Sequence, residues 1–564
     1  MRSIRNLRIN YIYYFFTFLF FLLAFRITYL QIFYKEPFKN LAQTQYWVLI
    51  PLEGKRGKIF DRNGRLLASS MYSYSVFVDP ALVENPSQVI SCLSSKLGIL
   101  PSEIASKIST KKRFVWIKRK ISLAEKEEIK AFKLKGVGFI REQKRYYPQE
   151  ILASTVLGIV DIDNKGLEGV EVSYDNYLKG KHGWVRVLQD SRQRKILLSP
   201  QIITPKDGAD IILTIDAQIQ YFAEKYLLET IKKFSAKEGS IIVMDANTGE
   251  ILALANYPSF NPNKRTSNTN YRNYAITDMF EPGSIFKIVT LIAAVEKNIF
   301  KDDDKIFCEN GEFKIPGSIL HDWKPYGFLT FREVFKKSSN IGVAKIANKL
   351  GAKVLYEYIK RLGFGYKTGI DLKGEISGKI RSLNTWSKTS SYIIPIGQEI
   401  GVTLIQLVRA FAAVANGGYL VKPYIVKKIY SPHFTKEITP QKEKVLSPSV
   451  AERAKDILIS VVEDGTGVLA KIDGFKIGGK TGTAQQFDPK IGRYSPFDYR
   501  ASFIGFVSDY EPTFVIGVSI YSPKSSHFGG VVAAPLFRKV AEKTLMYFES
   551  KKLFRKNNQQ NENN

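Results

Sequence analysis

The sequence predicts an α/β (α+β) protein in which an antiparallel sheet flanked by helices stands on a mixed α/β pedestal behind one N-terminal transmembrane helix. Three observations support this prediction. An apolar segment follows a basic N-terminus, short alternating segments fill the region up to about residue 235, and a buried helix followed by a strand hairpin lies beyond it. The expected parts are a cytoplasmic tail, a signal anchor, a non-catalytic pedestal, a larger domain and a disordered polar tail, at residues 1–10, 11–33, 35–235, 236–548 and 549–564.

The N-terminal segment has the pattern of a membrane anchor. Three arginines precede the apolar run 11–33, which is close to the ~20 residues that span a bilayer. The positive-inside rule places residues 1–10 in the cytoplasm and the chain after about residue 35 outside. No small residues of the Ala-x-Ala kind follow the apolar run, so we expect an uncleaved anchor with a single span.

Composition narrows the function only slightly. The chain has 83 Lys and Arg against 53 Asp and Glu, a formal net charge of +30. No zinc-finger spacing or nucleic-acid motif accompanies this excess, so nucleic acid is not an expected partner. The histidines are scattered without metal-binding spacing, and no metal or other cofactor is expected. Cys92 and Cys308 lie far apart in sequence, and the pattern does not decide whether they pair.

The pedestal region contains structural signals rather than chemistry. Asn63-Gly64 lies between two short apolar segments and predicts a β-hairpin. Asp216 is the expected N-cap of a helix that ends near Phe234. Residues 166–171 contain two glutamates, which we interpret as part of a packing loop rather than as a catalytic carboxylate pair.

The larger domain is organised around Ser284. A Pro-Gly pair precedes it, and an almost wholly apolar stretch runs on to Val295, which predicts a helix buried on all sides. Lys287 lies one turn after Ser284 on the same face. Because burial disfavours the ammonium, we expect Lys287 to be neutral near pH 7 and to accept the serine proton. The helix N-terminus places partial positive charge where an oxyanion would form.

Two later motifs supply further polar groups. Ser338-Ser-Asn340 lies between predicted helices at 330–337 and 341–350 and can project a hydroxyl and an amide into a cleft. Lys480-Thr-Gly-Thr precedes a predicted antiparallel hairpin, 501–507 with 513–521, and is expected on a strand of the same sheet. Gly482 would let a substrate backbone approach closely, and an extended peptide could add to that strand. Second copies of the three motifs, at 109–112, 367–369 and 382–384, lack these surroundings.

Ser-x-x-Lys, Ser-x-Asn and Lys-Thr-Gly in this order resemble the signature of penicillin-binding proteins and serine β-lactamases. The wider chain, from about residue 10 to 548, resembles class B penicillin-binding proteins, above all the division-specific branch (penicillin-binding protein 3, FtsI-like). The segments that carry this wider resemblance are 56–64, 145–148, 166–171 and 272–284. The resemblance implies the penicillin-binding transpeptidase fold on a dimerisation-type pedestal.

The resemblance also implies a function. The implied function is a D,D-transpeptidase, which cross-links peptidoglycan stem peptides during septal cell-wall synthesis. The reaction would pass through a serine acyl-enzyme. Ser284 would be the nucleophile and Lys287 the base, while Ser338 and Asn340 would relay protons and hold the substrate amide. Lys480 is the fifth implied catalytic residue and, with Thr481, would favour the substrate carboxylate. The implied substrate-binding residues are Thr481, Gly482 and Thr483, and the backbone N–H groups of Ser284 and Thr483 would bind the oxyanion.

The implied partners are stem peptides that end in D-Ala-D-Ala, a membrane glycan polymerase of the divisome (FtsW-like), other division proteins, and β-lactams as covalent inhibitors. The implied location is the cytoplasmic (inner) membrane, crossed once, with the catalytic domain in the periplasm. The acceptor amine, the oligomeric state and a role in division rather than elongation are not decided by the residues.

Three alternatives stay open. A D,D-carboxypeptidase would use the same residues with water in place of the amine. A serine β-lactamase-like hydrolase is disfavoured because Ile380 occupies the place where class A β-lactamases carry glutamate. A non-catalytic β-lactam-binding scaffold is disfavoured because only about ten residues are expected in the cytoplasm to carry a signal. A fourth alternative, a bifunctional synthase, is not expected. It would need an upstream glycosyltransferase module with a histidine motif, and no histidine precedes His182.

Overall fold

The computed structural model describes residues 2–37, 47–189, 195–264, 266, 269–488 and 492–562. The chain forms two compact units. The smaller unit comprises Met1–Lys55 and Gly180–Asp207, and the larger comprises Arg56–Lys179 and Gly208–Asn564.

The smaller unit contains a long helix, Arg2–Phe33, and a three-stranded antiparallel sheet. Within the described part of the chain, Leu7–Phe33 is the one helix long and apolar enough to cross a membrane. This agrees with the anchor predicted at 11–33. The strands of the sheet, in spatial order, are Trp47–Leu52, Gly183–Gln189 and Lys195–Ile203.

The pedestal part of the larger unit is built on a mixed sheet of seven strands. The predicted Asn-Gly hairpin joins Ile59–Phe60 to Leu66–Val78. The helices Pro86–Leu97, Pro101–Ile108 and Leu123–Ala131 pack on these strands around a small core of their own. The other strands are Val115–Ile121, Val137–Tyr146, Asp210–Leu213, Val426–Ser431 and Phe434–Glu437.

The pedestal also contains three short helices, Ser154–Leu157, Gly169–Ser173 and Asp175–Leu178.

Glu171 is the buried centre of an ion cluster in the pedestal. Its carboxylate accepts hydrogen bonds from Arg56 Nε and Arg145 Nε, both at 2.6 Å, and from Tyr147 OH at 3.2 Å. Burial favours the neutral acid, but Arg145 and Arg56 outweigh this effect and lower the pKa of Glu171. Glu171 is therefore a structural residue, as expected, but the predicted loop at 166–171 is wrong in its second half, because Gly169–Ser173 is helical.

A five-stranded antiparallel sheet forms the centre of the larger domain. Its side chains alternate between two hydrophobic cores, so both faces are buried. The predicted 501–507 and 513–521 hairpin is present as two adjacent strands. In spatial order the strands are Ile251–Tyr257, Glu238–Asp245, Phe514–Tyr521, Arg493–Ser508 and Lys476–Asp488, and the last is called the edge strand.

Helices cover both faces of this sheet. Ala217–Phe234, capped by Asp216 as predicted, packs on one face together with Gly529–Glu562. The predicted domain boundary at residue 236 assigns Ala217–Phe234 to the pedestal. In the structure this helix packs on the central sheet of the larger domain. Lys287–Glu296, Leu404–Ala415 and Pro448–Asp464 cover the other face.

The C-terminal tail differs from expectation. The last helix continues to Glu562, over most of the segment 549–564 for which the sequence predicts disorder. Residues 549–556 are rich in Lys, Glu and other good helix formers, and they continue the helix that begins at Gly529. Cys92 and Cys308 are both buried and unpaired.

Short elements complete the domain. Its small helices are Tyr274–Thr277, Phe331–Lys336, Asn340–Leu350, Ala352–Arg361 and Ser390–Ile393. Its paired short strands are Lys305–Phe307 with Phe328–Thr330, Glu312–Ile315 with Ser318–His321, and Tyr419–Val421 with Lys442–Lys444.

Candidate active site

Ser284 lies on a short 3-10 turn, Gly283–Phe286, which runs directly into the buried helix Lys287–Glu296. We call Gly283–Phe286 the serine turn. Gly283 has a φ of +55°, and a Cβ there would lie 2.9 Å from the carbonyl oxygen of Thr483. The glycine therefore allows the turn to lie directly against the edge strand. Ile285 and Phe286 are fully buried, whereas Ser284 is partly exposed.

Lys287 is fully buried below the serine turn. Its Nζ donates hydrogen bonds to Ser338 O at 2.7 Å, Ser338 Oγ at 3.2 Å and Asn340 Oδ1 at 2.8 Å. Burial lowers the pKa of Lys287 to about 7, although the charge of Asp322 acts in the opposite direction. This lowered pKa agrees with the expectation of a lysine that titrates near neutrality. The hydrogen bonds of the described residues do not include one between Lys287 and the Ser284 hydroxyl.

The Ser-x-Asn motif forms a turn between the helices Phe331–Lys336 and Asn340–Leu350, as predicted. Ser338 has a left-handed backbone, with φ of +58°, which is uncommon outside glycine. Its hydroxyl accepts a second hydrogen bond, from Lys480 Nζ on the edge strand, at 2.9 Å. The Ser338 hydroxyl therefore lies between two buried lysines. Burial, together with the charge of Lys287, lowers the pKa of Lys480 well below its usual range.

The edge strand carries the Lys-Thr-Gly-Thr motif, as predicted. It pairs on one side with Arg493–Ser508, and no strand among the described residues pairs with its other side. Thr481 Oγ1 donates to Thr466 Oγ1 at 3.0 Å, and Thr483 Oγ1 accepts from Gly529 N at 3.0 Å. The free side can accept an extended peptide as an added strand.

Gly482 has a role different from the predicted one. A Cβ on it would lie 2.7 Å from Ile285 Cγ1 and 2.9 Å from the carbonyl oxygen of Pro282. The space expected for a substrate backbone is therefore filled by Ile285 of the serine turn and by Pro282, which precedes it. Gly482 allows the edge strand to pack against the segment that bears Ser284.

The predicted residues converge on this one place, whereas the second copies of their motifs lie elsewhere. Lys287, Ser338, Asn340 and Lys480 form one hydrogen-bonded group. The second Lys-Thr-Gly copy forms a loop in which Thr368 donates to Glu375.

Sequence reasoning missed two residues of the site. Asp322 accepts hydrogen bonds from Ser339 Oγ at 2.6 Å and Ile341 N at 3.1 Å, and also from Asn340 N. Thr466 contacts Thr481, as described above. Each comes from a loop distant in sequence from its partner and belongs to no motif, so no spacing in the sequence indicates either.

Comparison with known proteins identifies the family. A family model described as the penicillin binding protein transpeptidase domain matches residues 239–542, more than half of the chain. The chain belongs to this family. A second model, described as the penicillin-binding protein dimerisation domain, matches residues 51–213. The two matches and the fold make the chain a class B penicillin-binding protein and a transpeptidase, and they confirm the predicted fold class.

Several relatives of this penicillin-binding protein align over most of both chains. Stage V sporulation protein D of Bacillus subtilis is 36% identical, over 92% of this chain and 82% of the relative. Peptidoglycan D,D-transpeptidase FtsI of Escherichia coli is 31% identical, over 86% of this chain and 82% of the relative. The crystal structure of penicillin-binding protein 3 from Mycobacterium tuberculosis, complexed with aztreonam, is 28% identical with a TM-score of 0.69, over 89% of this chain and 97% of that chain.

Proposed function

We propose that this penicillin-binding protein is a serine D,D-transpeptidase that cross-links peptidoglycan stem peptides in the septal wall, with Ser284 as its nucleophile. One observation carries the proposal: the two buried lysines, Lys287 and Lys480, meet at the Ser338 hydroxyl directly beside the serine turn. A buried lysine with a pKa of about 7 is a suitable base for a serine hydroxyl at neutral pH.

In the first half-reaction, Ser284 Oγ attacks the carbonyl carbon of the penultimate D-alanine. Neutral Lys287 takes the hydroxyl proton, directly or through Ser338. As the peptide bond breaks, the Ser338 hydroxyl passes a proton to the departing amine of the terminal D-alanine and takes in return the proton held by Lys287, which becomes neutral again. The product is an acyl-enzyme ester on Ser284, and the amine of a second stem peptide then attacks this ester in the reverse sequence of proton transfers.

The oxyanion of each tetrahedral intermediate would be held by the backbone N–H groups of Ser284 and Thr483. The carbonyl oxygen of Thr483 lies 2.9 Å from the position that a Cβ on Gly283 would occupy, so these two backbone segments lie close together. Loss of one such donor typically costs about 2.7–4 kcal/mol of transition-state stabilisation.

The substrate carboxylate would be bound by the edge strand. Thr481 and Thr483 carry hydroxyls there, and Asn340 can hold the substrate amide. Lys480 is buried beside them, and an incoming carboxylate would favour its charged form. β-Lactams, which resemble the substrate terminus, would acylate Ser284 in the same way.

A D,D-carboxypeptidase would use the same acyl-enzyme but transfer it to water. The two activities separate in one assay, in which the protein is incubated with a synthetic peptide ending in D-Ala-D-Ala and a large excess of an amine acceptor. We expect the amide product to dominate by mass spectrometry. Hydrolysed peptide alone, at all acceptor concentrations, would contradict transpeptidation.

We further propose that the helix Leu7–Phe33 anchors the protein in the cytoplasmic membrane, with the catalytic domain in the periplasm and a glycan polymerase (FtsW-like) as the partner of the anchor. The apolar, exposed surface of this helix and the similarity to FtsI support the proposal. Protease added outside spheroplasts should digest the catalytic domain. Depletion of the protein should give filaments, whereas rounded cells would indicate a role in elongation.

A further inference from the structure

Residues 321–323 hold the Ser-x-Asn turn from outside the catalytic group. Asn340 Nδ2 donates to His321 O at 2.9 Å, Ser339 Oγ donates to Asp322 Oδ2 at 2.6 Å, and Trp323 Nε1 donates to Lys337 O at 3.0 Å. Three consecutive residues thus bind the residues on both sides of Ser338. We call residues 321–323 the clamp.

Asp322 makes the largest number of these contacts. Besides Ser339 Oγ, its carboxylate accepts from Asn340 N and Ile341 N at the start of the helix Asn340–Leu350. Ser339, the N-cap of that helix, in turn accepts from Gly342 N at 2.9 Å. A carboxylate at a helix N-terminus is also favoured by the helix dipole. The start of this helix is therefore fixed to Asp322 by several bonds.

The clamp determines which atoms face Lys287. Because Asn340 Nδ2 is engaged by His321 O, the amide turns its Oδ1 toward Lys287 Nζ. Ser338 is held in its left-handed conformation by fixed neighbours on both sides, and in this conformation both its carbonyl and its hydroxyl accept from Lys287. Strained backbone of this kind persists only where the surroundings hold it.

We propose that Asp322 is a positioning residue of the acyl-transfer reaction, which holds the Ser-x-Asn turn in its active geometry and places a negative charge toward Lys287. The inference rests on the proposed roles of Ser284 and Lys287. Asp322 acts through other residues and does not contact the reacting atoms.

The negative charge of Asp322 affects the pKa of Lys287, in addition to the positioning effect of the hydrogen bonds that Asp322 accepts. Asp322 raises the pKa of Lys287 against the effect of burial. Lys480 faces Lys287 from the edge strand, Cys308 and Tyr326 lie near Asp322, and Lys345 lies near Cys308. These groups are the same in a variant that changes Asp322 alone, so removal of its charge lowers the pKa of Lys287 and leaves more of it neutral at a given pH.

The test is the acylation rate of the full-length protein in detergent, with a fluorescent penicillin, across pH 5 to 9. For Asp322→Asn we expect the plateau rate to fall roughly 100-fold, because the turn is misplaced. We also expect the ascending limb of the pH profile to move to lower pH by about one unit, because a negative charge is removed. Ser339→Ala removes the hydrogen bonds that the Ser339 hydroxyl makes with Asp322, Gly342 N and Cys308 but keeps the charge of Asp322. Its plateau rate should therefore fall without movement of the ascending limb.

Asp464→Asn is the matched control, since Asp464 pairs with Lys336 on the protein surface beside the same turn. Asp464→Asn should leave the plateau acylation rate and the ascending limb of the pH profile unchanged. A wild-type rate and an unmoved limb in Asp322→Asn would overturn the inference. If Asp322→Asn does not fold, a Ser339→Ala variant with an unchanged plateau would overturn it. A wild-type protein that is not acylated at all overturns the proposed function itself, which distinguishes the two failures.

Discussion

Lys287 and Lys480 reach the same hydroxyl oxygen, with Nζ–Oγ distances to Ser338 of 3.2 Å and 2.9 Å. Both side chains are almost completely buried. Each ammonium disfavours the other, and burial disfavours both, so the pair releases a proton more readily than two exposed lysines would. The Ser338 hydroxyl connects the two nitrogens and is thereby suited to pass a proton between them.

The first prediction concerns pH. Because the reaction needs neutral Lys287, the rate of Ser284 acylation should rise with pH through about 7, the pKa of Lys287, and then reach a plateau. Stopped-flow measurement with a β-lactam over pH 5 to 9 gives this profile. A limb near pH 10, where an exposed lysine titrates, would contradict the assignment of Lys287 as the base.

A second prediction concerns Gly482. In Gly482→Ala the new Cβ would meet Ile285 Cγ1 at 2.7 Å and Pro282 O at 2.9 Å, so the edge strand and the serine turn must separate. We expect acylation to slow by roughly 100-fold, the effect of a displacement of about 1 Å at a reacting centre. Gly327→Ala is the control, since a Cβ on Gly327 would lie at an ordinary van der Waals distance, 3.5 Å, from its nearest neighbour, Asn310 Oδ1. Equal rates in the two variants would show that this packing does not position Ser284.

A third prediction concerns the pedestal. Glu171→Gln removes the buried counter-charge of Arg145 and one of the two carboxylates that Arg56 pairs with, since Asp175 remains, at a cost of about 3–5 kcal/mol. The exposed pair Glu84 and Lys135 provides the control, because Glu84→Gln should change stability by no more than about 1 kcal/mol. Thermal unfolding followed by circular dichroism compares the two. Similar midpoints would mean that the ion cluster contributes little.

The same cluster predicts a pH effect on stability. The pKa of Glu171 is lowered in the folded protein from an ordinary value of 4.5. Its contribution is therefore fully present above about pH 4.5 and is lost as the pH falls through the lower folded value. Glu171→Gln should lose less stability than the wild type on acidification, and a parallel loss in both would contradict this account.

Local patterns in the sequence predicted much of the site. The apolar run after Ser284, the break at Ser338 and the hairpin after Lys480 are each visible within a short segment. Contacts between distant segments were not visible. Asp322 follows the hairpin of Glu312–Ile315 and Ser318–His321, and the fold of this hairpin brings Asp322 to the 338–340 turn. The role of Gly482 depends on the serine turn, almost two hundred residues upstream. The packing of Ala217–Phe234 on the central sheet likewise depends on partners far along the chain.

The most direct test of the central claim is intact-protein mass spectrometry of the wild type and Ser284→Ala during incubation with benzylpenicillin. We predict a stable mass increase of one penicilloyl group on the wild type alone, with peptide mapping to Ser284. An adduct lost within seconds would indicate a β-lactamase-like hydrolase. An adduct on Ser284→Ala, or none on the wild type, would contradict the assignment of Ser284 as the nucleophile.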